Sequence, residues 1–177
     1  MPDRPTSRDP EPARGLSRIL CRRAAGKAGL DPDTLLFGAG RPRPQFKNEQ
    51  GVMQFGEVCV CCGCRIWAHR GGEIRIEDGT FLDEGVEIIA WERVSIGRRC
   101  YVGMDVLIMD TDLHSVGDRP VENRPVEIGD GVRIGPRAMV LKGVTVGPNS
   151  IIHPGAIVTR DVPANSEVIP QPARTVR

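Results

Sequence analysis

The sequence predicts an all-β fold, a parallel β-helix of about five triangular coils preceded by a short helix. One observation is an aliphatic residue at every sixth position in the second half of the chain: Ile128, Ile134, Val140, Val146, Ile152 and Val158. Another is that small or β-branched residues recur four places after these positions, as at Val132, Ala138 and Val144. A helix needs apolar residues at three- and four-residue spacing, and a strand in an open sheet alternates every second residue. The six-residue period therefore indicates a solenoid in which each hexad forms one side of a coil.

The same phase continues towards the N-terminus when insertions are allowed at corners. Equivalent positions on successive coils are Phe55, Ile76, Ile96, Ile128 and Val146. A coil of three hexads accounts for their spacing if two coils carry small bulges and one carries a long insertion after Ile108. The pattern predicts a β-helix over residues 51–163 and a protruding active-site loop over residues 109–125. Loops held on a rigid scaffold are where functional residues concentrate.

Residues 1–50 are predicted to be a tail outside the β-helix. Residues 1–14 are charged and rich in proline, which favours disorder, whereas helical spacing of apolar residues between Arg14 and Leu30 predicts a short helix that caps the open end. The tail has no dense basic block interleaved with aromatic residues, which argues against nucleic-acid binding. No apolar run of about eighteen residues occurs, so we expect a cytoplasmic protein without membrane insertion.

Four of the six cysteines lie together in the segment Cys59-Val60-Cys61-Cys62-Gly63-Cys64. Overlapping C-x-x-C pairs of this kind can hold zinc. A structural zinc site, however, normally takes two such pairs from separate segments, and no later segment repeats the spacing. Counting from the aliphatic positions places Cys59, Cys61 and Cys100 inward. Packing in the interior is therefore favoured over a metal site or redox chemistry.

The three histidines are His69, His114 and His153, and only one lies in the insertion. His69 and His153 fall at corners, where surface positions are expected. His114 lies near the start of the loop, and Asp110 and Asp112 are within four positions of it. Neighbouring carboxylates can orient an imidazole or raise its basicity, as a general base near neutral pH requires. We therefore predict His114 as the catalytic residue, supported by Asp112 and Asp110.

Several motifs in combination resemble those of one enzyme family. They are the hexapeptide repeats, the segment Asp110-Thr111-Asp112-Leu113-His114, the run from Pro125 to Gly135 and the closing Val158-Thr159-Arg160-Asp161-Val162-Pro163. The chain resembles the hexapeptide-repeat acyltransferases with a left-handed β-helix, especially sugar O-acetyltransferases of the galactoside, maltose and exopolysaccharide type. The resemblance covers about residues 50–177. It implies a homotrimer that binds acetyl-CoA in clefts between neighbouring subunits.

The resemblance also implies a mechanism and a set of site residues. A loop histidine takes the proton from an acceptor hydroxyl as it attacks the thioester carbonyl, without a metal, and by position this base is His114. The acceptor pocket of relatives aligns with Asp83 and Trp91. CoA lies along the last coils and the C-terminal segment, residues 164–177. The matching cofactor positions are Arg133, Gly135, Pro136, Pro154, Thr159, Arg160, Arg174 and Arg177.

Three cofactor positions depart from the family pattern. Relatives commonly carry an aromatic residue near the thioester where this chain has Arg133, and Pro136 and Pro154 have no backbone N–H to offer pantetheine. Trp91 can stack on a sugar ring, so the expected acceptor is a small molecule such as a sugar or nucleotide-sugar rather than a simple galactoside.

Other functions remain compatible with the pattern. One is an N-acetyltransferase that acts on an amino sugar, and another is a non-catalytic β-helix scaffold, which the three departures would suit. A zinc enzyme of the γ-class carbonic anhydrase type shares the left-handed β-helix and binds zinc through three histidines at trimer interfaces. The three histidines of this chain lie on different predicted coils without close pairing, which disfavours such a site.

Overall fold

The computed structural model describes residues 16–38, 42–115 and 117–171. Its elements, in chain order, are α1 (Leu16–Lys27), β1 (Leu35–Phe37), β2 (Gln45–Asn48), β3 (Val52–Phe55), β4 (Val58–Val60), β5 (Arg65–Ala68), β6 (Glu73–Ile76), β7 (Phe81–Leu82), β8 (Glu87–Ala90), β9 (Arg93–Ile96), β10 (Tyr101–Val102), β11 (Leu107–Met109), β12 (Val126–Ile128), β13 (Arg133–Ile134), β14 (Met139–Val140), β15 (Thr145–Val146), β16 (Ile151–Ile152), β17 (Ile157–Val158) and β18 (Glu167–Val168). From β1 to β17 each strand pairs in parallel with the strand three places away, so three strands make one coil, and β18 pairs with β16.

The strands form three faces of a prism. Face 1 has seven strands (β1-β4-β7-β10-β13-β16-β18), face 2 has six (β2-β5-β8-β11-β14-β17) and face 3 has five (β3-β6-β9-β12-β15). We call the edge between faces 1 and 2 the groove corner and the edge between faces 2 and 3 the loop corner. The predicted all-β parallel β-helix with one short helix is confirmed, and its left-handed winding stays a prediction.

The predicted phase is also confirmed by the register of face 3. The residues in register on successive coils of this face are Phe55, Ile76, Ile96, Ile128 and Val146. The number of coils is six rather than the five predicted, because residues 35–37 and 45–48 form β1 and β2. These strands fall inside the segment assigned to the tail. The sequence that connects them contains Pro42 and Pro44 and lacks the six-residue period, which hides this first coil.

Helix α1 packs on the first coil, against β1 and β2. Its buried side includes Cys21 and Ala25, and Ala28 just after the helix is buried too, whereas Ile19 of the predicted apolar stripe is 54% exposed. Gly29, with φ of +83°, follows the helix in the left-handed conformation that commonly ends helices. In the described part of the chain, no helix combines the length and apolar character needed to cross a bilayer. The predicted disorder of residues 1–14 lies outside the described residues.

The interior is a continuous column of aliphatic side chains. On face 2, Ile66, Ile88 and Ile108 lie above one another and have no exposed surface. Burial of a branched aliphatic side chain contributes about 1.5–3 kcal/mol, so the stacked coils supply the main stabilisation of the solenoid.

The cysteine segment lies at the groove corner and mostly packs inward. Cys61, Cys62 and Cys64 are buried, but Cys59 points outward and is half-buried. The register on face 1 runs through Val60 rather than Cys61, because the corner between Phe55 and Val60 is one residue shorter than the six-residue period. A hydrogen bond with Cys59, together with burial, raises the pKa of the Cys61 thiol, and burial raises the pKa of Cys64 to about 12. Among the described residues, no group of three or more His, Cys, Asp and Glu side chains is placed to hold a metal ion.

Truncation of the central core residue Ile88 to alanine should lower the free energy of unfolding by about 2–5 kcal/mol, because a cavity forms between two fully packed coils. The measurement is urea unfolding followed by circular dichroism. Leu36→Ala is the matched control, since Leu36 lies on face 1 and is 64% exposed. Its change should stay within about 0.5 kcal/mol. Equal losses in the two variants would contradict the assignment of the core.

Candidate active site

The predicted loop leaves the solenoid between β11 and β12, within the fourth coil and at the loop corner. Its two arms are tied to each other. Thr111 and Asn123 form an antiparallel bridge, and the Asp112 N–H donates to the Glu122 carbonyl at 3.3 Å. The loop therefore begins as a short two-stranded projection, and His114 lies just beyond the point where its arms are joined.

His114 is exposed, and one nitrogen of its ring is held by the backbone. Nδ1 lies 3.2 Å from the Ser115 carbonyl oxygen, and the His114 N–H donates to the Asp112 carbonyl at 2.8 Å. A carbonyl can only accept, so Nδ1 carries the hydrogen, and in the neutral ring Nε2 is the acceptor. Leu113, with φ of 64°, forms the tight turn that presents the ring. This arrangement suits a general base that accepts a proton at Nε2.

Asp110 is fully buried, and its carboxylate does not bond the imidazole. It accepts the backbone N–H groups of Trp91 at 2.9 Å and of Glu92 and Arg93 at 2.7 Å each. These bonds hold the turn of the coil below the loop. The sequence prediction that Asp110 directly orients His114 is therefore replaced by a role in shaping the loop corner.

Asp112 points away from the His114 ring and towards the next coil. Lys142 Nζ donates to Asp112 Oδ2 at 2.5 Å and to Glu122 Oε2 at 2.7 Å, and the lysine side chain is only 17% exposed. The Lys142 ammonium lowers the pKa of both carboxyls, and they in turn raise the pKa of Lys142. Lys142 thus joins the two arms of the loop to the fifth coil, and we call Asp112, Glu122 and Lys142 the loop clamp.

Trp91 lies in the coil directly below the loop, at the same corner. Its ring stacks on His69, with centroids 4.3 Å apart and planes 15° apart, and it is 41% exposed. His69 Nδ1 in turn lies 3.0 Å from Glu49 Oε2. The two side chains below Trp91 therefore hold the indole close to the loop, where it can pack against a substrate.

A shallow groove of about 140 Å³ lies on face 1, next to the groove corner. Its lining includes Tyr101, Arg133, Gly135, His153 and Pro154, so three predicted cofactor residues meet there. A Cβ at Gly135 would lie 2.6 Å from the Pro154 nitrogen, so only glycine fits and the backbone forms the groove floor. His153 is oriented by Glu167, with Nε2 and Oε2 2.9 Å apart.

The outer surface of face 1 carries a stack of rings that ends under a cation. Phe81 and Tyr101 stack with centroids 5.7 Å apart and planes 10° apart, and the Arg133 guanidinium lies 5.7 Å from the Tyr101 centroid. The Tyr101 hydroxyl donates to Asp83 Oδ2 at 2.7 Å. Burial and this hydrogen bond raise the pKa of Tyr101 to about 12, so the phenol stays protonated at neutral pH. Asp83 is therefore fixed beside the groove.

The remaining predicted residues are scattered. Pro136 is half-buried at the groove corner, whereas Thr159 and Arg160 are exposed at the loop corner of the last coil. Arg174 and Arg177 lie outside the described residues.

The predicted site residues thus form two groups at opposite edges of face 2. His114, Asp112 and Trp91 lie at the loop corner, whereas Asp83 and the Arg133 groove lie at the groove corner. A face with strands of about four residues is about 13 Å wide along the strand. One chain therefore does not bring the two groups into contact.

Face 2, which separates the two groups, has an outward column of apolar side chains. Leu107, Met139 and Ile157 are in register on the last three coils, and Met139 and Ile157 are 38% and 60% exposed. Such a column on an otherwise charged prism is typical of a surface that another protein chain covers.

Lys142, Tyr101 and His153 are candidate site residues that the sequence patterns did not predict. Lys142 gives no local signal, because its partners Asp112 and Glu122 are distant in the sequence. Tyr101 could have been found, since it precedes an inward aliphatic position and must therefore point outward next to Arg133 on the following coil.

The comparison with known sequences gives a family match and several relatives. The profile of the family described as bacterial transferase hexapeptide (six repeats) matches residues 125–160. The chain is 31% identical over 126 residues to the galactoside O-acetyltransferase of Escherichia coli (strain K12), which covers 58% of this chain and 62% of that protein. It is 45% identical over 58 residues to the 2,3,4,5-tetrahydropyridine-2,6-dicarboxylate N-acetyltransferase of Staphylococcus aureus (strain JH9), covering 33% of this chain and 24% of that one. The chain thus spans less than two thirds of the length of these relatives.

Solved structures with a similar fold include two acetyltransferases. A hexapeptide-repeat acetyltransferase from Vibrio cholerae O1 biovar eltor, complexed with acetyl coenzyme A, matches with a TM-score of 0.59 and 23% identity over 91% of this chain and 82% of that chain. A galactoside acetyltransferase in complex with coenzyme A matches with a TM-score of 0.55 and 26% identity over 71% of this chain and 64% of that one.

Proposed function

We propose that this chain, whose residues 125–160 match the bacterial transferase hexapeptide family, moves an acetyl group from acetyl-CoA to a hydroxyl of a sugar or sugar-like acceptor. The observation that carries the proposal is His114. Its Nδ1 is tied to a backbone carbonyl, its Nε2 is the open acceptor, and its loop is clamped to the scaffold. The galactoside O-acetyltransferase relative supports the choice of a hydroxyl acceptor.

In the proposed reaction, Nε2 of His114 takes the proton of the acceptor hydroxyl as its oxygen attacks the thioester carbonyl. A tetrahedral intermediate forms, the C–S bond breaks, and the proton passes from the imidazolium to the CoA thiolate. The products are an ester and free CoA. Direct attack needs neither an acyl-enzyme nor a metal, and general base catalysis contributes about 10²–10⁴-fold.

For acetyl-CoA we propose the face 1 groove as the site of the pantetheine arm, with Gly135, Pro136 and Pro154 along it. The exposed Thr159 and Arg160, at the loop corner of the last coil, are proposed to contact the CoA that a neighbouring copy holds in its groove, and Arg174 and Arg177 are proposed to contact the phosphates, for which guanidinium groups are well suited. The acceptor is proposed to pack on Trp91 of one copy and to contact Asp83 of the neighbouring copy.

The complete site is proposed to form between copies of the chain in a homotrimer. The separation of the His114 group from the groove across face 2 supports this, because a neighbouring copy can bring its groove to the loop corner. The exposed apolar column on face 2 supplies a surface for such contact.

Met139→Glu should therefore convert the trimer into monomers, because it places a charge in the apolar column that the neighbouring copy covers. The measurement is light scattering coupled to size-exclusion chromatography. Val52→Glu on face 3 is the matched control, since Val52 is 45% exposed on the charged face, and it should leave the mass unchanged. A trimeric Met139→Glu protein would place the interface elsewhere.

Acetyl-CoA binding gives the direct test of the proposed function. At a concentration of 100 times its dissociation constant, acetyl-CoA should stabilise the protein by about 2.7 kcal/mol, seen as a thermal shift. Release of free CoA in the presence of a panel of sugars and nucleotide-sugars then identifies the acceptor. Neither a thermal shift nor CoA release at millimolar acetyl-CoA would favour the non-catalytic scaffold.

An amine acceptor is the second candidate. The N-acetyltransferase of Staphylococcus aureus, 45% identical over the 58 matched residues, favours it. The same assay with amino sugars beside their hydroxyl counterparts separates the two reactions.

A further inference from the structure

Arg133 differs from the other strand arginines in its surroundings. In the described strands, Arg65 pairs with Glu87, Arg75 with Glu73 and Arg93 with Glu127. Each of these pairs neutralises the guanidinium within the solenoid surface.

Arg133, in contrast, has apolar and aromatic neighbours in register, Tyr101 below and Ile151 above. No carboxylate of the described residues forms an ion pair with it, and its guanidinium lies over the Tyr101 ring instead. The nearby Asp83 is already engaged by the Tyr101 hydroxyl and by the Glu84 N–H at 2.8 Å. Among the described residues, the guanidinium at this groove therefore has no direct ion-pair partner.

The shape of the groove fits a small anionic group. Its volume of about 140 Å³ is enough for a carboxylate group, and the groove is shallow and open to solvent. The floor at Gly135 is backbone, so a ligand can approach closely, and Ile151 provides an apolar wall. A guanidinium offers two parallel N–H donors to a carboxylate.

We propose that the Arg133 side of the face 1 groove is a carboxylate subsite, in which Arg133 holds a carboxylate carried by one of the two substrates while the pantetheine arm passes along the Gly135 and Pro154 side. The inference rests on the proposed acyl transfer. Arg133 lies on the coil between Tyr101, which holds the proposed acceptor residue Asp83, and Pro154 of the proposed cofactor site. The carboxylate has two possible sources. It is either the terminal carboxylate of a dicarboxylic acyl group on CoA or the carboxylate of an acidic sugar acceptor.

Two arms of one experiment distinguish these sources. The acyl arm compares kcat/KM for succinyl-CoA and butyryl-CoA, which have the same chain length, with a neutral sugar acceptor. The acceptor arm compares a uronic acid with its neutral hexose, with acetyl-CoA as donor. In one arm, kcat/KM of the wild type for the anionic substrate should exceed kcat/KM for the neutral one by about 10- to 100-fold, which corresponds to the usual strength of a charged hydrogen-bonded pair.

Arg133→Gln should bring that ratio close to one, because it removes the charge and keeps a polar side chain. Arg137→Gln is the matched control and should keep the ratio. Arg137 lies on the same coil, its side chain is 82% exposed, and it is only loosely paired with Asp105 at 3.8 Å.

A ratio near one in both arms of the wild type would overturn the subsite, and so would a preference that persists in Arg133→Gln. The dissociation constants of the same four ligands, measured by calorimetry, test the subsite even if no transfer occurs. Absence of transfer with every pair of substrates would count against the proposed function. Equal binding of charged and neutral partners by the wild type would count against the carboxylate subsite.

Discussion

His114→Ala should lower kcat for acetyl transfer by about 10²–10⁴-fold, the usual contribution of a general base. The dissociation constant for acetyl-CoA should change little, because His114 is proposed to act on the proton of the acceptor hydroxyl and not to hold the cofactor. Steady-state kinetics with the identified acceptor, together with a thermal-shift titration of acetyl-CoA, measure the two effects separately.

Ser115→Ala is the matched control for His114→Ala. The His114 ring bonds the backbone carbonyl of Ser115 and not its hydroxyl, so this variant keeps the bond and should keep most of the activity. Full activity in His114→Ala would show that another group takes the proton. His153, which lines the groove and is oriented by Glu167, would then be the next residue to replace.

The sequence predicts the β-helix well because the six-residue period is a local pattern. Each inward aliphatic residue is set by its own hexad, so the register of face 3 from Phe55 to Val146 follows without knowledge of distant contacts. The first coil is not predicted because the sequence between β1 and β2 interrupts the six-residue period. The shift of one residue at Cys61 has a similar origin, since a corner one residue short of the period exchanges inward and outward positions.

The candidate site is predictable only in part, because its contacts are made between coils. The sequence places Asp110 and Asp112 near His114, but strand alternation turns Asp110 inward with Ile108, where it bonds the backbone of the coil below. Similarly, the sequence shows that Arg133 is unusual for its position. It does not show that Arg133 lacks an ion-pair partner, because this follows from its neighbour in register, Tyr101, which belongs to the preceding coil.

Lys142→Met should lower kcat by about 10- to 100-fold while the KM for acetyl-CoA changes little, because the catalytic loop loses the side chain that holds both of its arms. Methionine keeps the length and apolar contact of the lysine stem. Lys142→Arg should recover most of the activity, since a guanidinium can still join Asp112 and Glu122. Limited proteolysis should cut the loop faster in Lys142→Met only. If the melting temperature of Lys142→Met fell so far that part of the protein was unfolded at the assay temperature, the lost activity would be explained by stability and not by positioning.

The loop clamp also predicts a dependence on pH. Lys142 lowers the pKa values of Asp112 and Glu122, so the stabilisation of the loop is present above the ordinary carboxyl range and is lost as the pH falls through the lowered values. The raised pKa of Lys142 means that the stabilisation persists below the ordinary lysine value and is lost as the pH rises through the raised one. The ratio of wild-type to Lys142→Met kcat should therefore be constant between about pH 5 and 10.

Below that window the ratio should fall, because protonated Asp112 and Glu122 no longer gain from the lysine in the wild type and no longer repel each other in the variant. Stopped assays at acidic pH, limited to conditions in which circular dichroism shows both proteins folded, measure this trend. A ratio that varied near neutral pH would mean that Lys142 takes part in proton transfer itself. Constancy there and convergence in acid would assign Lys142 to positioning, since a residue that only fixes the loop loses its influence when its two partners lose their charge.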